Sequence, residues 1–205
     1  MNDQYVSNIS HKGLSIAILL SIIILTGCED YSLSKDIDGK WQSNYVISYD
    51  DGEKDSIDEF TTFKYEDNSV DDDGSFIERR KCKTNDIVDN GIHYAVSYTS
   101  SISGRYEVIG GDLYLKYDLS TLEVNLIGLN GGIKYESHDI LGYTYDTSTY
   151  IDRDELKKQI FRSLWMTYKK NSNEDIACRN LKIKGDEMSY ENEEGTTTFQ
   201  RYKGI

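Results

Sequence analysis

Two patterns of hydrophobic and polar positions divide the chain. From Leu14 to Leu25 nearly every position is apolar, with only Ser15 and Ser21 interrupting. A run of about a dozen residues falls short of the ~20 that span a bilayer and suits the hydrophobic region of an export signal. From Gly39 the period becomes two: Trp41, Ser43, Tyr45, Ile47 and Tyr49 fall on one side, Gln42, Asn44, Val46 and Ser48 on the other. That alternation predicts a strand. Asp51-Gly52 is a hairpin turn signal, followed by a strand from Glu59 to Tyr65, and Asp73-Gly74 turns into Phe76 to Lys83. The series continues through Ile92 to Thr99, Arg105 to Ile109, Asp112 to Tyr117, Leu122 to Ile127 and Ile133 to Ser137, punctuated by Gly110-Gly111 and Asn130-Gly131-Gly132.

One segment changes period. From Asp152 to Lys170, Leu156, Ile160, Leu164 and Tyr168 recur at helical spacing, with Phe161 and Trp165 beside them. Asp152, Asp154 and Glu155 favour a helix start and Lys169 and Lys170 its end. Such an apolar stripe must be buried against a sheet or over a ligand cavity. Strands from Leu181 to Lys184, Glu187 to Glu191 and Thr196 to Tyr202 then follow. Short strands with turns at this spacing predict a mainly β fold, an antiparallel barrel or sandwich, with one amphipathic helix inserted before the last strands.

Composition sharpens the picture at three points. Hydrophobic residues are only 38% of 205, but 17 tyrosines supply the aromatic bulk that a β core needs. Proline is absent, so Gly, Asp and Asn must make the turns. The net charge of −13 repels nucleic-acid phosphates, which argues against a nucleic-acid partner.

Leu25-Thr26-Gly27-Cys28, directly after the apolar run, resembles a bacterial lipobox. The resemblance implies cleavage before Cys28 and acylation of its thiol and amine, which gives enough chains for stable anchoring. It divides the chain into a lipoprotein signal peptide (1–27), an acylated tether (28–37) and a domain (38–205). The expected location is the bacterial cell envelope, lipid-anchored, at the outer membrane; Glu29-Asp30 resembles the acidic signal that sends some Bacteroidetes lipoproteins to the cell surface. If lipid takes Cys28, Cys82 and Cys178 remain. They are open to two readings: a disulfide, worth roughly 2–4 kcal/mol by loop closure, or two buried free thiols.

Gly39-Lys40-Trp41 is similar to the Gly-x-Trp motif that opens lipocalins and the wider calycin barrels. Gly104-Arg105-Tyr106-Glu107-Val108, Asp112-Leu113-Tyr114-Leu115 and the closing Phe199-Gln200-Arg201 look like the lipocalin-like domains of bacterial lipoproteins. The resemblance implies an up-and-down antiparallel barrel, with Gly39, Trp41 and Arg201 closing one end as a structural group. It also implies a small apolar or amphipathic ligand in the open end; the alternative is a filled barrel whose surface meets another envelope protein.

Candidate chemistry is sparse. His11 lies in the signal segment, and His93 and His138 lie on strands without zinc spacing or a hydrolase context, so no enzyme, cofactor or resident metal is expected. Asp71, Asp72 and Asp73 before Gly74 lack the first and last ligands of an EF-hand loop, which leaves a solvated acidic turn.

Overall fold

The computed structural model describes residues 30–48, 54–67, 73–89, 92–140, 143–173, 177–192 and 195–204. A short helix, α1, covers 30–36. There follow β1 (Gly39–Ser48), β2 (Lys54–Tyr65), β3 (Gly74–Asp89), β4 (Ile92–Ile109), β5 (Asp112–Gly131), β6 (Ile133–Ile140), β7 (Tyr143–Tyr150), the helix α2 (Arg153–Asn173), β8 (Ala177–Lys184), β9 (Glu187–Asn192) and β10 (Gly195–Arg201). Eight strands close an antiparallel barrel in the order β1-β10-β9-β8-β5-β4-β3-β2. Barrel neighbours are consecutive in sequence except at the closure of β10 on β1 and at the step from β5 to β8. There β6 and β7 form a separate two-stranded ribbon, and α2 packs on β5.

Alternation fixes what points inward. Ile57, Glu59, Thr61 and Phe63 of β2 are buried, as are Phe76, Glu78 and Cys82 of β3, while their neighbours face out. A one-residue slip would turn every one of these side chains to water, so the register is strongly set. The apolar floor gathers Trp41, Phe63, Phe76, Tyr106, Leu113, Met188 and Phe199 with Ile37. Phe63 and Tyr106 meet edge to face at 5.2 Å.

The sequence pattern breaks at Ser100–Gly104 and Asp118–Thr121, where two expected pairs of strands prove to be the single strands β4 and β5. The break is a bulge: Ser101 lies opposite Glu123 and Ser103 opposite Asp118, so β5 inserts extra residues without leaving the sheet. Two elements were not anticipated. β7 exposes Thr144, Ser148, Thr149 and Tyr150, and α1 occupies the segment expected as a tether.

The barrel is uneven around its girth. β2 and β3 pair along their whole length from Lys54↔Asn85 to Tyr65↔Gly74, whereas β5 meets β8 only at Leu113↔Cys178 and Tyr114↔Ala177. β1 meets β10 at Trp41↔Arg201 and Gln42↔Gln200. Above these two short seams, β2 to β5 stand as a wall, and α2 lies against it.

Candidate functional site

The closed end is built on Arg201, the last residue of β10. Its guanidinium lies 4.1 Å from the centre of the Trp41 ring, and it donates from Nη1 to the carbonyl of Asp38 (2.6 Å) and from Nη2 to that of Asp36 (2.8 Å). Trp41, wholly buried, donates its indole N–H to the carbonyl of Ile37 at 2.6 Å. Gly39, Trp41 and Arg201 are thus brought together, and the hydrogen bonds reach into the turn between α1 and β1. α1 is itself fastened: Asp30 accepts from the amides of Gly110 and Gly111 at 2.9 and 2.8 Å, and Ser34 donates to Asp73 at 2.7 Å. That bond spends Asp73 on the fold, since it also accepts from the amide of Val108 at 2.7 Å.

Midway up, the interior turns polar. Nε of Arg80 lies 3.0 Å from Glu59 and 2.9 Å from Glu78, whose side chains are 6% and 4% exposed. Its N–H is not aligned for a hydrogen bond to either, so the attraction is one of charge rather than direction. Tyr45 donates to Glu59 at 3.1 Å and Tyr117 to Glu78 at 3.2 Å, and Tyr168 of α2 reaches in to donate to the other oxygen of Glu78. Burial pushes the Glu78 carboxyl up, against the opposing pull of Arg80. Burial also works against the Arg80 charge, but Glu59 and Glu78 more than offset it. Two acids and one base from adjacent strands, bonded by tyrosines of β1, β5 and α2, therefore form a charged cluster on the inward face of the wall.

This group is faint in the sequence. Its trace was a charged residue in the apolar phase: Glu59 stands two residues from Ile57, and Glu78 and Arg80 stand between Phe76 and Cys82. A buried charge at an inward position needs partners from neighbouring strands, and only the register supplies them.

The two cysteines remain separate free thiols, both buried. Cys82 of β3 lies between Ile57 and Tyr98, and Cys178 of β8 lies opposite Leu113, with β4 and β5 between their strands. Burial raises both thiols, Cys178 to about 12. Leu25, Thr26, Gly27 and Cys28 lie outside the described residues, and among the described ones no helix is long and apolar enough to cross a membrane.

At the opposite end a cleft of about 380 Å³ opens at the foot of the ribbon. Leu129, Ile133, Tyr150 and Ile151 supply apolar wall, and Asp152 and Arg153 at the start of α2 supply charge. Asp152 also caps α2, accepting from the amides of Asp154 and Glu155 at 2.8 and 3.1 Å. Ile133 is 53% and Tyr150 71% exposed, so the cleft is reached directly from solvent.

No family model matches this sequence, and no curated protein is significantly similar to it. The eight-stranded antiparallel barrel is compatible with a lipocalin-like fold and with ligand binding.

Proposed function

We propose that this chain is an exported, non-enzymatic lipoprotein, anchored in the bacterial envelope through acylated Cys28, whose barrel binds a small amphipathic molecule at its open end. The cleft at the foot of the ribbon carries the reading. Its volume of about 380 Å³ suits one small molecule, with apolar walls for a hydrocarbon part and Arg153 for an acidic head. The ligand sits between the end of β5, the ribbon and the start of α2, away from the Arg80 cluster.

Titration with dansyl-labelled undecanoic acid tests this. The purified protein is expected to enhance and blue-shift the dansyl emission saturably. Ile133→Glu, at an exposed position, is expected to weaken binding about tenfold, since it sets an unpaired charge against the apolar wall. Absence of saturable binding, or equal affinity in the variant, would overturn the proposal.

A second reading is favoured by the ribbon, where Tyr135 is 76% exposed beside Tyr150 and Ile133. There the same face meets an envelope protein instead of a small molecule. Cross-linking from Tyr135 in intact cells separates the two: a stoichiometric protein adduct supports the second, and monomer alone counts against it.

A further inference from the structure

The beginning of the described chain is tied down at one end of the barrel. Asp30 is held by the β4–β5 turn, Ser34 by Asp73, the carbonyl of Ser34 by the Tyr106 hydroxyl at 3.1 Å, and the carbonyls of Asp36 and Asp38 by Arg201. Ile37 is wholly buried under the floor. Nothing from Asp30 to Asp38 is available as a spacer. Cys28 precedes Asp30 by two residues, and an extended chain covers at most ~3.6 Å per residue, so an anchor at Cys28 lies within about 7 Å of the closed end.

Resting on the lipid-anchor reading, we infer that the closed end of the barrel seats directly on the headgroups of the bilayer that holds the acyl chains, with the cleft and the ribbon directed away from it. The chemistry of that end fits lipid headgroups. Lys35 lies 4.3 Å from the ring centre of Tyr31 and 5.5 Å from that of Tyr65, and Lys40 lies 4.1 Å from that of Tyr202. Lysine and tyrosine, each with an apolar body and a polar tip, settle at a membrane–water boundary. Ile109, the last residue of β4 beside the β4–β5 turn, adds an apolar contact, 51% exposed.

The acidic groups of this end mostly have partners within the protein. Glu66 is paired with Arg105 at 2.9 Å and Asp186 with Lys203, while Asp30 and Asp73 keep their charge and are held by hydrogen bonds, Asp30 from two amides and Asp73 from Ser34 and Val108. Lys35 and Lys40, with these two ion pairs, make the face presented to lipid phosphates less repulsive than a net charge of −13 suggests. A ligand reaching the cleft therefore comes from the aqueous side and is not drawn from the anchoring bilayer.

Bimane placed at Ile109→Cys or at Tyr135→Cys reports which end meets lipid, using the processed, acylated protein in phosphatidylethanolamine–phosphatidylcholine vesicles with and without brominated acyl chains. β4 alone covers roughly 55 Å of strand at ~3.3 Å per residue, so one bilayer surface cannot quench both labels. The label at 109 is expected to lose most of its emission and the label at 135 to keep it. Equal quenching, or stronger quenching at 135, in protein that floats with the vesicles would overturn the orientation and leave the anchor standing. Failure of the wild-type protein to float, or flotation of Cys28→Ser to the same extent, would remove the anchor and the orientation with it.

Discussion

Gly39 and Arg201 compete for one small volume although 162 positions separate them in the sequence. A Cβ added to Gly39 would lie 2.7 Å from Nη1 of Arg201, and the backbone there has φ of +120°, a conformation that other residues rarely adopt. The guanidinium in turn crosses Trp41 and closes the turn after α1 through two carbonyls. Removing it forfeits the stacking, about 0.5–2 kcal/mol, and leaves those carbonyls to water. Arg201→Ala is expected to cost about 2 kcal/mol and Gly39→Ala about 2–4 kcal/mol in urea unfolding. In the double variant the steric part of the Gly39 penalty disappears, so the two changes should fall short of additivity by about 1 kcal/mol. Strict additivity would mean that the glycine is required by its backbone angle alone.

At the scale of elements, the joint between α2 and the barrel wall is where packing and charge meet. Tyr168 is only 2% exposed; it packs 4.8 Å from Tyr117, ring to ring, and donates to Glu78. Glu78 is faced by Arg80 on its own strand, Glu59 on the adjacent β2, Tyr45 on β1, Tyr117 on β5 and Tyr168 on α2. Burial is the largest influence and raises its folded-state titration above the ordinary 4.5. The folded protein then holds this proton more tightly than the unfolded chain. The corresponding stability is full below the unfolded value and declines as pH rises through the folded one. Glu78→Gln removes that slope. The melting temperature of the variant minus that of the wild type is therefore expected to grow from pH 4 to pH 8; a constant difference would show that Glu78 ionises as in the unfolded chain, and a falling one that its carboxylate is favoured by the fold. The helix carrying Tyr168 was legible in the sequence, since Asp152 marks its cap and Leu156, Leu164 and Tyr168 its inner face. Phe161, counted in the same stripe, is 38% exposed, because the wall touches a narrower arc than the hydrophobic pattern offers. α1 is not legible: Ser32, Ser34, Lys35 and Asp36 read as a polar linker, and contacts with Asp73, Tyr106, Gly110, Gly111 and Arg201, all distant in sequence, make that segment part of the floor.

At the scale of the molecule, the strand pattern reveals that a barrel forms but not how evenly it is closed. Period-two alternation identifies β1, β2 and β3 well, yet strand length beyond the alternation, and the number of residues that two strands share, depend on where the chain returns after α2. The result is a wall of long strands closed by short ones. Sheet edges joined by few hydrogen bonds open at lower free energy than those joined along their length, so β8 should separate from β5 before β3 separates from β2 or β4. The two buried thiols report on these two places. Cys178 sits at the seam itself, its backbone opposite Leu113; Cys82 sits in the wall, between Ile57 and Tyr98, with pairing on both sides. In the closed protein neither reacts readily, because burial raises both thiols and excludes reagent. In urea below the unfolding midpoint, Cys178 is expected to be alkylated about an order of magnitude faster than Cys82, as read by mass spectrometry of the two peptides after timed labelling. Equal rates would mean that the barrel opens as one unit and that its short seams are as strong as its wall, while faster labelling of Cys82 would place the first opening in β3 and reverse the order of stability derived from the register.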